Sequence, residues 1–417
     1  MSATSRPPAT EGAVQNRFLI LRALRWFPVG LLIPVLVLLL LDRGLTLAQI
    51  GVVFAAQGAM VLLLELPTGG LADAVGRRTT LLIASAFSFA ALVLLLFAES
   101  LPLLAAVFAM LGVYRALESG PLDSWYVDTA QAIDPKANLE RGFSLGGTVT
   151  GVSIGLGSLA SSAIVVVDPF PGLDPLTAPV VAALGFLVVE VAAIAILMTE
   201  PPRRGATEGL RSAIGDTRSI VASAVRTVLT SRALIALVTV EFLWSFGMTA
   251  FETFTPVKLG DVLDNADQAA ALLGPTNSVA WLVSAAGAAS VPLLTKRVRT
   301  STAGATLMLA QGLTVVAIAL AYGPWGVVIA YVLTMGIHGA ANPVHQGLLH
   351  RAVENPGTRA TVASANSMTA QAGGMVGGIA LGLLADATNL TIAIVTGAFV
   401  IAAAAPLYLR VGRLNRA

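Results

Sequence analysis

The 417-residue chain has a mean hydropathy of +0.82, and only 12% of its residues are charged, about half the share of an average globular domain. This composition excludes a water-soluble globular protein. The chain has no cysteine and a net charge of only +2. These values exclude a disulfide framework, a thiolate nucleophile and a cysteine zinc cluster, and give no indication of a nucleic-acid partner.

Apolar segments dominate the chain after a short polar start. Residues 1–17 are polar and contain Pro, Ala, Ser and Thr, so we expect a disordered cytoplasmic N-terminus. The first apolar run is too long for a cleaved signal peptide and lacks a small-residue cleavage pattern, so it is expected to remain as a helix. Twelve segments are each long enough to cross a bilayer. They lie at about 18–41, 47–68, 79–98, 101–127, 142–167, 178–199, 233–257, 269–294, 303–322, 326–349, 361–385 and 391–409.

The longest polar stretch divides the chain in two. It covers 200–232, contains six arginines, and is expected to be a cytoplasmic linker between six-helix halves at 18–199 and 233–410. An even number of helices places both termini, including the tail 411–417, on one side. Twenty of the 25 Lys and Arg residues fall on that side, so the positive-inside rule assigns it to the cytoplasm.

A charged, glycine-rich sequence joins the second and third segments. It reads Gly69-Gly70-Leu71-Ala72-Asp73-Ala74-Val75-Gly76-Arg77-Arg78. The glycines supply backbone freedom for a tight turn between two membrane helices. The sequence resembles the loop signature of the major facilitator superfamily, although Ala74 replaces the usual base. The matching residues are Gly69, Leu71, Ala72, Asp73, Gly76, Arg77 and Arg78.

This resemblance implies a fold and a mechanism. The fold is an all-α membrane protein with twelve transmembrane helices in two pseudo-symmetric six-helix halves. The halves alternate the access of one central site, usually driven by protons. The loop is implied to act as a latch that exists only when the cytoplasmic side is closed, with Asp73 near Arg359 and Arg77 paired with Asp128. The expected latch residues are Gly69, Asp73, Gly76, Arg77, Arg78, Asp128 and Arg359.

Two weak internal repeats agree with this division. The end of helix 4, around Pro121, matches the end of helix 10, around Pro343. Helices 5 and 11 both carry glycines at four-residue spacing, which permits close helix contacts in lipid. We therefore expect Gly151 and Gly378 to mark tight contacts. The glycine ladders are Gly147, Gly151 and Gly155 in helix 5, and Gly374, Gly378 and Gly382 in helix 11.

Helix 4 carries an arginine and an acid where lipid would surround most side chains. Arg115 and Glu118 are three residues apart and share a helix face. The run from Arg115 to Gly120 is similar to the helix 4 motif of the family, with the glycine one position late. The pair is either a proton site or a structural pair that neutralises itself. As a proton site, Glu118 would bind the proton and Arg115 would modulate it, with Asp123 and Glu241 as the next candidates.

Other charges within the helices have less certain roles on sequence alone. Arg22 and Arg25 in helix 1 match the depth of Glu65 in helix 2, which favours snorkelling and a static ion pair. Glu190 lies near the middle of helix 6, a peripheral helix in the family, and its partner cannot be identified from the sequence.

Helices 7 and 10 carry the candidate ligand residues. Glu241, Ser245, Met248 and Glu252 form one stripe of helix 7 beside aromatic residues, which suits an apolar or cationic ligand. Glu252 could instead lie near the outer interface. His338, Asn342 and His345 share a face of helix 10 and are either packing residues or titratable ones. The expected cavity residues are Trp244, Met248, Phe251, Glu252, His338 and Asn342.

The first functional hypothesis is a proton-coupled antiporter that exports small amphipathic or drug-like compounds. Helix 5 lacks the proline of the drug/proton antiporter branch, so a metabolite facilitator or symporter is the alternative. A third hypothesis is a non-transporting sensor or lipid-handling protein, which a dry interface around Arg115 and Glu118 would favour. No ATP-binding loop or hydrolase motif occurs. We therefore expect a monomeric, multi-pass cell-membrane protein that is not an enzyme and needs no cofactor or metal.

Overall fold

Twelve helical spans are long and apolar enough to cross a bilayer in the part of the chain that the structure describes. The structure is a computed structural model that describes residues 10–200, 226–353 and 358–414. It confirms the expected all-helical fold. Spans 1 to 12 are Glu11–Asp42, Leu47–Leu64, Arg77–Phe97, Leu101–Ile133, Leu139–Val167, Ala178–Leu197, Arg232–Leu263, Ala266–Arg297, Thr300–Leu320, Gly323–Arg351, Thr361–Ala387 and Leu390–Leu414.

Four spans consist of two helices, whereas the helices of spans 2 and 11 are each continuous. The helix of span 2 covers Leu47–Val75, and that of span 11 covers Arg359–Ala387. The divided spans are 1 (Glu11–Leu32 and Leu36–Asp42), 4 (Leu101–Glu118 and Pro121–Ile133), 7 (Arg232–Glu252 and Phe254–Leu263) and 12 (Leu390–Ala403 and Ala405–Leu414). Because the spans are even in number, both termini lie at one face of the bundle, which we call the terminal face. The other is the opposite face.

The first helix begins earlier than the sequence predicts. Residues 11–17, expected to be disordered, are helical, because the Thr10 hydroxyl accepts a hydrogen bond from the backbone N–H of Ala13 and caps the helix. Residues 1–9 lie outside the described residues, as do 201–225 of the expected linker. The last helix ends at Leu414. Residues 411–414 of the expected tail are therefore helical, and 415–417 lie outside the described residues.

The glycine-rich sequence at 69–78 is a helix end rather than a loop. The helix of span 2 continues to Val75, and only Gly76 leaves it, with a φ of 97°. The next helix begins at Arg77, and the Glu200 carboxylate accepts hydrogen bonds from the backbone N–H groups of Arg77 and Arg78. An acid at a helix N-terminus stabilises the helix by interaction with its dipole.

A second glycine breaks span 4. Gly120 has a φ of 97° and separates the helix that ends at Glu118 from the one that starts at Pro121. Proline suits the first helical position, where its missing N–H has no helical partner. The break changes the direction of the chain between Glu118 and Asp123, two acids that the sequence places only five residues apart.

The two halves meet tightly near the opposite face. Between spans 5 and 8, the Ser278 hydroxyl donates to the carbonyl of Gly155 at 2.7 Å. Between spans 2 and 11, Asp386 accepts hydrogen bonds from the backbone N–H groups of Leu47 and Ala48 at 3.0 and 2.9 Å. These contacts close the opposite face.

The halves separate toward the terminal face. A Cβ on Gly51 would clash with the carbonyl oxygen of Gly378, so the backbones of spans 2 and 11 meet tightly at Gly378, as expected. A Cβ on Gly151 would meet none of the described atoms within 4 Å, so the expected contact there is absent in this conformation. Span 8 contacts span 10 instead, where a Cβ on Gly287 would clash with the carbonyl oxygen of Gly336.

Candidate functional site

A cavity of about 750 Å³ lies between the two halves. Its walls come from both halves and include three tryptophans, Trp26, Trp244 and Trp281. Because spans 5 and 8 separate toward the terminal face, the cavity opens in that direction and is closed at the opposite face. Cavities of this size bind small organic ligands.

Most of the expected cavity residues do line the cavity. Trp244, Met248, Glu252, His338 and Asn342 all contribute to its wall. Glu252 therefore faces the cavity, which answers the question that its position in the sequence left open.

Phe251 is the exception among the expected cavity residues. It is fully buried and packs against His338, with ring centroids 5.7 Å apart. One helical residue corresponds to a rotation of about 100°, so Phe251 points away from the cavity when Glu252 points into it.

A polar cluster fixes the wall formed by spans 7, 9 and 10. The indole N–H of Trp244 donates to the side-chain oxygen of Gln311 at 3.0 Å, and the amide nitrogen of Gln311 lies 3.4 Å from Nδ1 of His338. The rings of Trp244 and His338 are 4.9 Å apart. His338 is therefore held by neighbours, as a packing residue would be, while one side of its ring faces the cavity.

Glu241 is the acid of span 7 that has a partner. Its Oε2 lies 3.1 Å from Nε2 of the buried His345, which also faces the side-chain oxygen of Asn366 at 3.3 Å. Because both neighbours of Nε2 are acceptors, the neutral ring carries its proton there, and Tyr408 donates its hydroxyl to Nδ1 at 2.8 Å. Glu241 is thus fixed by a hydrogen-bonded network that reaches span 12.

The predicted pair of Arg115 and Glu118 is wrong. Glu118 forms its ion pair with Arg25 of span 1, and Arg115 instead lines the central cavity. The two side chains diverge because Arg115 faces the other half of the molecule, whereas Glu118 faces span 1. Glu252, from the other half, lines the same cavity as Arg115.

Arg25 is the centre of a buried ionic cluster. It contacts Glu118 of span 4 and lies 3.2 Å from Glu190 of span 6. Its guanidinium also lies 4.5 Å from the ring centroid of Tyr114, a cation–π contact. Arg25 and Glu190 are 5% and 1% exposed. The cluster therefore holds the cation of Arg25 and the carboxylate of Glu190 away from bulk water, while Glu118 stays partly exposed.

The expected interaction of Arg22 and Arg25 with Glu65 is replaced by other pairs. Arg22 donates to Asp123 at 2.6 Å and to Thr150 at 3.0 Å, and Arg25 is held in the cluster with Glu190. The side chain of Glu65 lies outside the described part of the chain. Sequence reasoning missed the cluster because its members come from spans 1, 4 and 6. The available signal was that Glu190 and Arg25 are unmatched charges of opposite sign at membrane depth.

Two smaller spaces adjoin the central cavity. A vestibule of about 300 Å³ reaches Arg25, Glu118 and Asp123, and shares Arg115 with the central cavity. A side chamber of about 220 Å³ extends into the first half, with Leu92, Phe108 and Leu111 among its mostly apolar walls. The side chamber also shares Arg115 with the central cavity.

Some residues of the expected latch form contacts within the first half. Arg77 forms the expected ion pair with Asp128 and also donates to the carbonyl of Ser124 at 2.6 Å. The pair is present while the terminal face is open, because both residues belong to the first half. The expectation that it exists only in the closed state is therefore wrong. The guanidinium of Arg78 donates to the carbonyl of Ala195.

The contact expected between Asp73 and Arg359 is the part of the latch that would join the two halves. The side chains of Asp73 and Gly69 lie outside the described part of the chain. Arg359 begins the helix of span 11 and is exposed. This contact stays a prediction.

A family model for the Major Facilitator Superfamily matches residues 18–378. The chain belongs to this superfamily. Solved structures with a similar fold cover nearly the whole chain. A nucleoside transporter, NupG, is 13% identical with a TM-score of 0.77, covering 95% of this chain and 98% of that one. A bacterial homolog of the human lysosomal transporter Spinster, described as inward-facing and occupied, is 14% identical with a TM-score of 0.73, covering 98% of each chain.

A peptide transporter, POT, in complex with sulfate is 15% identical with a TM-score of 0.74, covering 99% of this chain and 97% of that one. No curated protein sequence matches the chain significantly. Identities this low show the superfamily fold and leave the substrate to be argued from the cavity. The chain is a multi-pass membrane transporter rather than an enzyme.

Proposed function

We propose that this superfamily member is a proton-coupled secondary transporter that moves a small amphipathic organic solute by alternating access. The observation that carries the proposal is the central cavity, which both halves line and which opens at one face only. Alternating access requires such a site between two bodies that can rock against each other. The cavity reaches Arg115, and the vestibule reaches Glu118. A dry interface around these residues, the feature expected of a non-transporting protein, is not what the described residues form.

The proton site of this proposal is Glu118 with Arg25 as its partner, in place of Arg115. With both carboxylates ionised, the cluster of Arg25, Glu118 and Glu190 carries one net negative charge in a region where net charge is costly. One bound proton removes that charge. Glu118 is 19% exposed and lines the vestibule, whereas the side chain of Glu190 is 2% exposed. The proton therefore enters and leaves through Glu118.

The favoured direction is export in exchange for protons. The distribution of Lys and Arg supports a cytoplasmic terminal face in the cell membrane, so the open cavity would load from the cytoplasm. Aromatic walls from Trp26, Trp244 and Trp281 suit amphipathic compounds. The loop between spans 2 and 3 would act as a latch through Asp73 and Arg359, the two residues that could join the halves.

Import of a metabolite with protons is the second candidate. Amide side chains at Gln57, Asn277, Asn342 and Gln371 give the cavity a polar part that a purely hydrophobic drug would not use. The similar solved structures include nucleoside and peptide transporters, which agrees with a polar metabolite as substrate.

Proteoliposomes that contain a pH-sensitive dye test the proposal and the direction. A panel of amphipathic amines, amino acids and nucleosides is added outside, with the pH gradient imposed in either orientation. An antiporter accumulates its solute when the lumen is acidic, and a symporter when the outside is acidic. Solute movement without any proton movement would contradict proton coupling, and no movement of any panel member would contradict the transport proposal for these compounds.

A further inference from the structure

Two charged side chains of the cavity differ from the others in having no ion-pair partner among the described residues. Arg115 of span 4 and Glu252 of span 7 both face the cavity, and neither forms an ion pair or a hydrogen bond with any described residue. The other described charges of the cavity and vestibule are paired: Arg22 with Asp123, Arg25 with Glu118, and Glu241 with His345.

The two unpaired charges have opposite signs and come from opposite halves. Both line the same cavity, but they do not form an ion pair with each other. Charges at membrane depth are costly and are retained where they pair or where they act on a ligand. A guanidinium binds a carboxylate with two parallel hydrogen bonds. A carboxylate in a cavity that aromatic rings also line, here those of Trp244 and Tyr331, suits an ammonium group.

The side chamber offers an apolar space for part of the ligand beside Arg115. Its walls include Leu92, Phe108, Leu111 and Leu187, and its volume of about 220 Å³ exceeds that of a cavity of about 150 Å³ that holds a benzene molecule. A phenyl or branched aliphatic group bound there would leave the charged end of the ligand in the central cavity.

We infer that the ligand is a small zwitterion with an apolar substituent. Its carboxylate binds Arg115, its ammonium group binds Glu252, and its apolar group enters the side chamber. The inference names a substrate class for the proposed transport site and so depends on that site being the binding site. Amino acids and short peptides with large apolar side chains are members of this chemical class.

A panel of three ligands that share a phenyl group and differ in their charges tests which residue binds which charge. Phenylalanine carries both charges, phenethylamine only the cation, and 3-phenylpropionate only the anion. Leucyl-phenylalanine separates the two charges further. Binding is measured by isothermal titration calorimetry on purified protein, without a pH gradient. We expect the better of the two zwitterions to bind about tenfold or more tightly than either single-charge compound.

Neutralising variants assign each charge to one residue. Arg115→Gln is expected to bind phenylalanine no better than phenethylamine, and Glu252→Gln no better than 3-phenylpropionate. Arg115→Lys and Glu252→Asp, which keep the charges, are expected to retain the preference for zwitterions. Matched controls are Lys258→Gln and Asp261→Asn, because these charges of span 7 are not part of the cavity wall. They are expected to leave all affinities unchanged.

A size series tests the side chamber. Affinity is expected to rise from alanine to leucine to phenylalanine, and Leu111→Trp, which fills the chamber, is expected to abolish the rise. Leu309→Trp is the control, because Leu309 is 55% exposed on the surface of span 9.

Four outcomes distinguish a failure of this inference from a failure of the proposed function. Equal binding of the zwitterions and either single-charge compound would overturn the inference, as would the absence of binding by both zwitterions. Unchanged preferences in Arg115→Gln and Glu252→Gln would also overturn it, because the two charges would then serve only the protein. Tight zwitterion binding without movement into proteoliposomes would overturn the proposed function and leave the binding assignment standing.

Discussion

Arg115 and Glu252 face each other across the central cavity from opposite halves of the molecule, and no described side chain pairs with either. The first is reached by the vestibule and the side chamber as well. Any rocking of the halves changes the distance between these two charges. A ligand that binds both would therefore respond directly to the opening and closing of the cavity.

Glu118→Gln is expected to uncouple transport from the pH gradient. The amide keeps the shape of the side chain beside Arg25 and cannot bind or release the proton. Gradient-driven transport should be abolished, while exchange of labelled for unlabelled solute at equal pH is retained. Both are measured in proteoliposomes. Asp128→Asn is the control, since the Asp128 side chain is 56% exposed and pairs with Arg77 outside the walls of the cavity and the vestibule. Full gradient-driven transport by Glu118→Gln would move the proton site elsewhere, with Asp123 and Glu241 as the next candidates.

Removing the cation of the buried cluster is expected to destabilise the protein. Arg25→Met leaves Glu118 and Glu190 buried without a cation, which costs about 3–5 kcal/mol of unfolding free energy. Adding Glu190→Gln should recover part of the loss. Arg22→Met is the comparison, because its half-exposed pair with Asp123 is worth about 1 kcal/mol or less. Thermal denaturation in detergent measures all of them. Equal losses for Arg25→Met and Arg22→Met would contradict the account of the cluster.

Gly151→Leu is expected to fold normally and to block closure of the terminal face. No described atom lies within 4 Å of the added Cβ in the open conformation, but the side chain would fill the gap that must close. Gly378→Leu should instead disturb the closed opposite face, where Gly51 is in contact. The chain has no cysteine, so Ser119→Cys can report access from the terminal face through labelling by an impermeant maleimide. Transport by Gly151→Leu at the normal rate would show that this helix face does not close.

Asp73 and Asp128 are expected to differ in their effect on access. Asp128 pairs with Arg77 within one half, so Asp128→Asn should leave the labelling of Ser119→Cys unchanged and cost about 1 kcal/mol or less. Asp73→Asn should raise the labelling and reduce transport, because the proposed contact with Arg359 would join the two halves. If both variants leave labelling unchanged, the latch proposal is wrong.

The fold could be predicted from sequence because its signals are local. Apolar length defines a span, and the match of the residues around Asp73 to a family loop signature is contained in ten consecutive positions. The helix stripe of span 7 predicted that Glu241, Ser245 and Met248 share one face, and all three line the cavity, since a helix face follows from residue spacing.

The ion pairs could not be predicted in the same way. The three-residue spacing of Arg115 and Glu118 predicted a pair on one helix face. The ion pairs that form depend instead on which neighbouring helix each side chain faces. Arg25 and Glu190, separated by 165 positions, meet only because spans 1 and 6 pack together. Likewise, glycine spacing showed that Gly151 could allow a close contact but not that the halves diverge there in this conformation.

The most direct test of alternating access is a pair of distances on the same two helices. Spin labels at Thr148 and Ala289 report spans 5 and 8 near the terminal face, and labels at Val167 and Gln268 report them near the opposite face. All four positions are exposed. Pulsed dipolar spectroscopy in nanodiscs, at acidic and alkaline pH, should show a second population in which the first distance shortens and the second lengthens. Gly151→Leu should lack that population. Single, unchanged distances for both pairs under every condition would contradict the account.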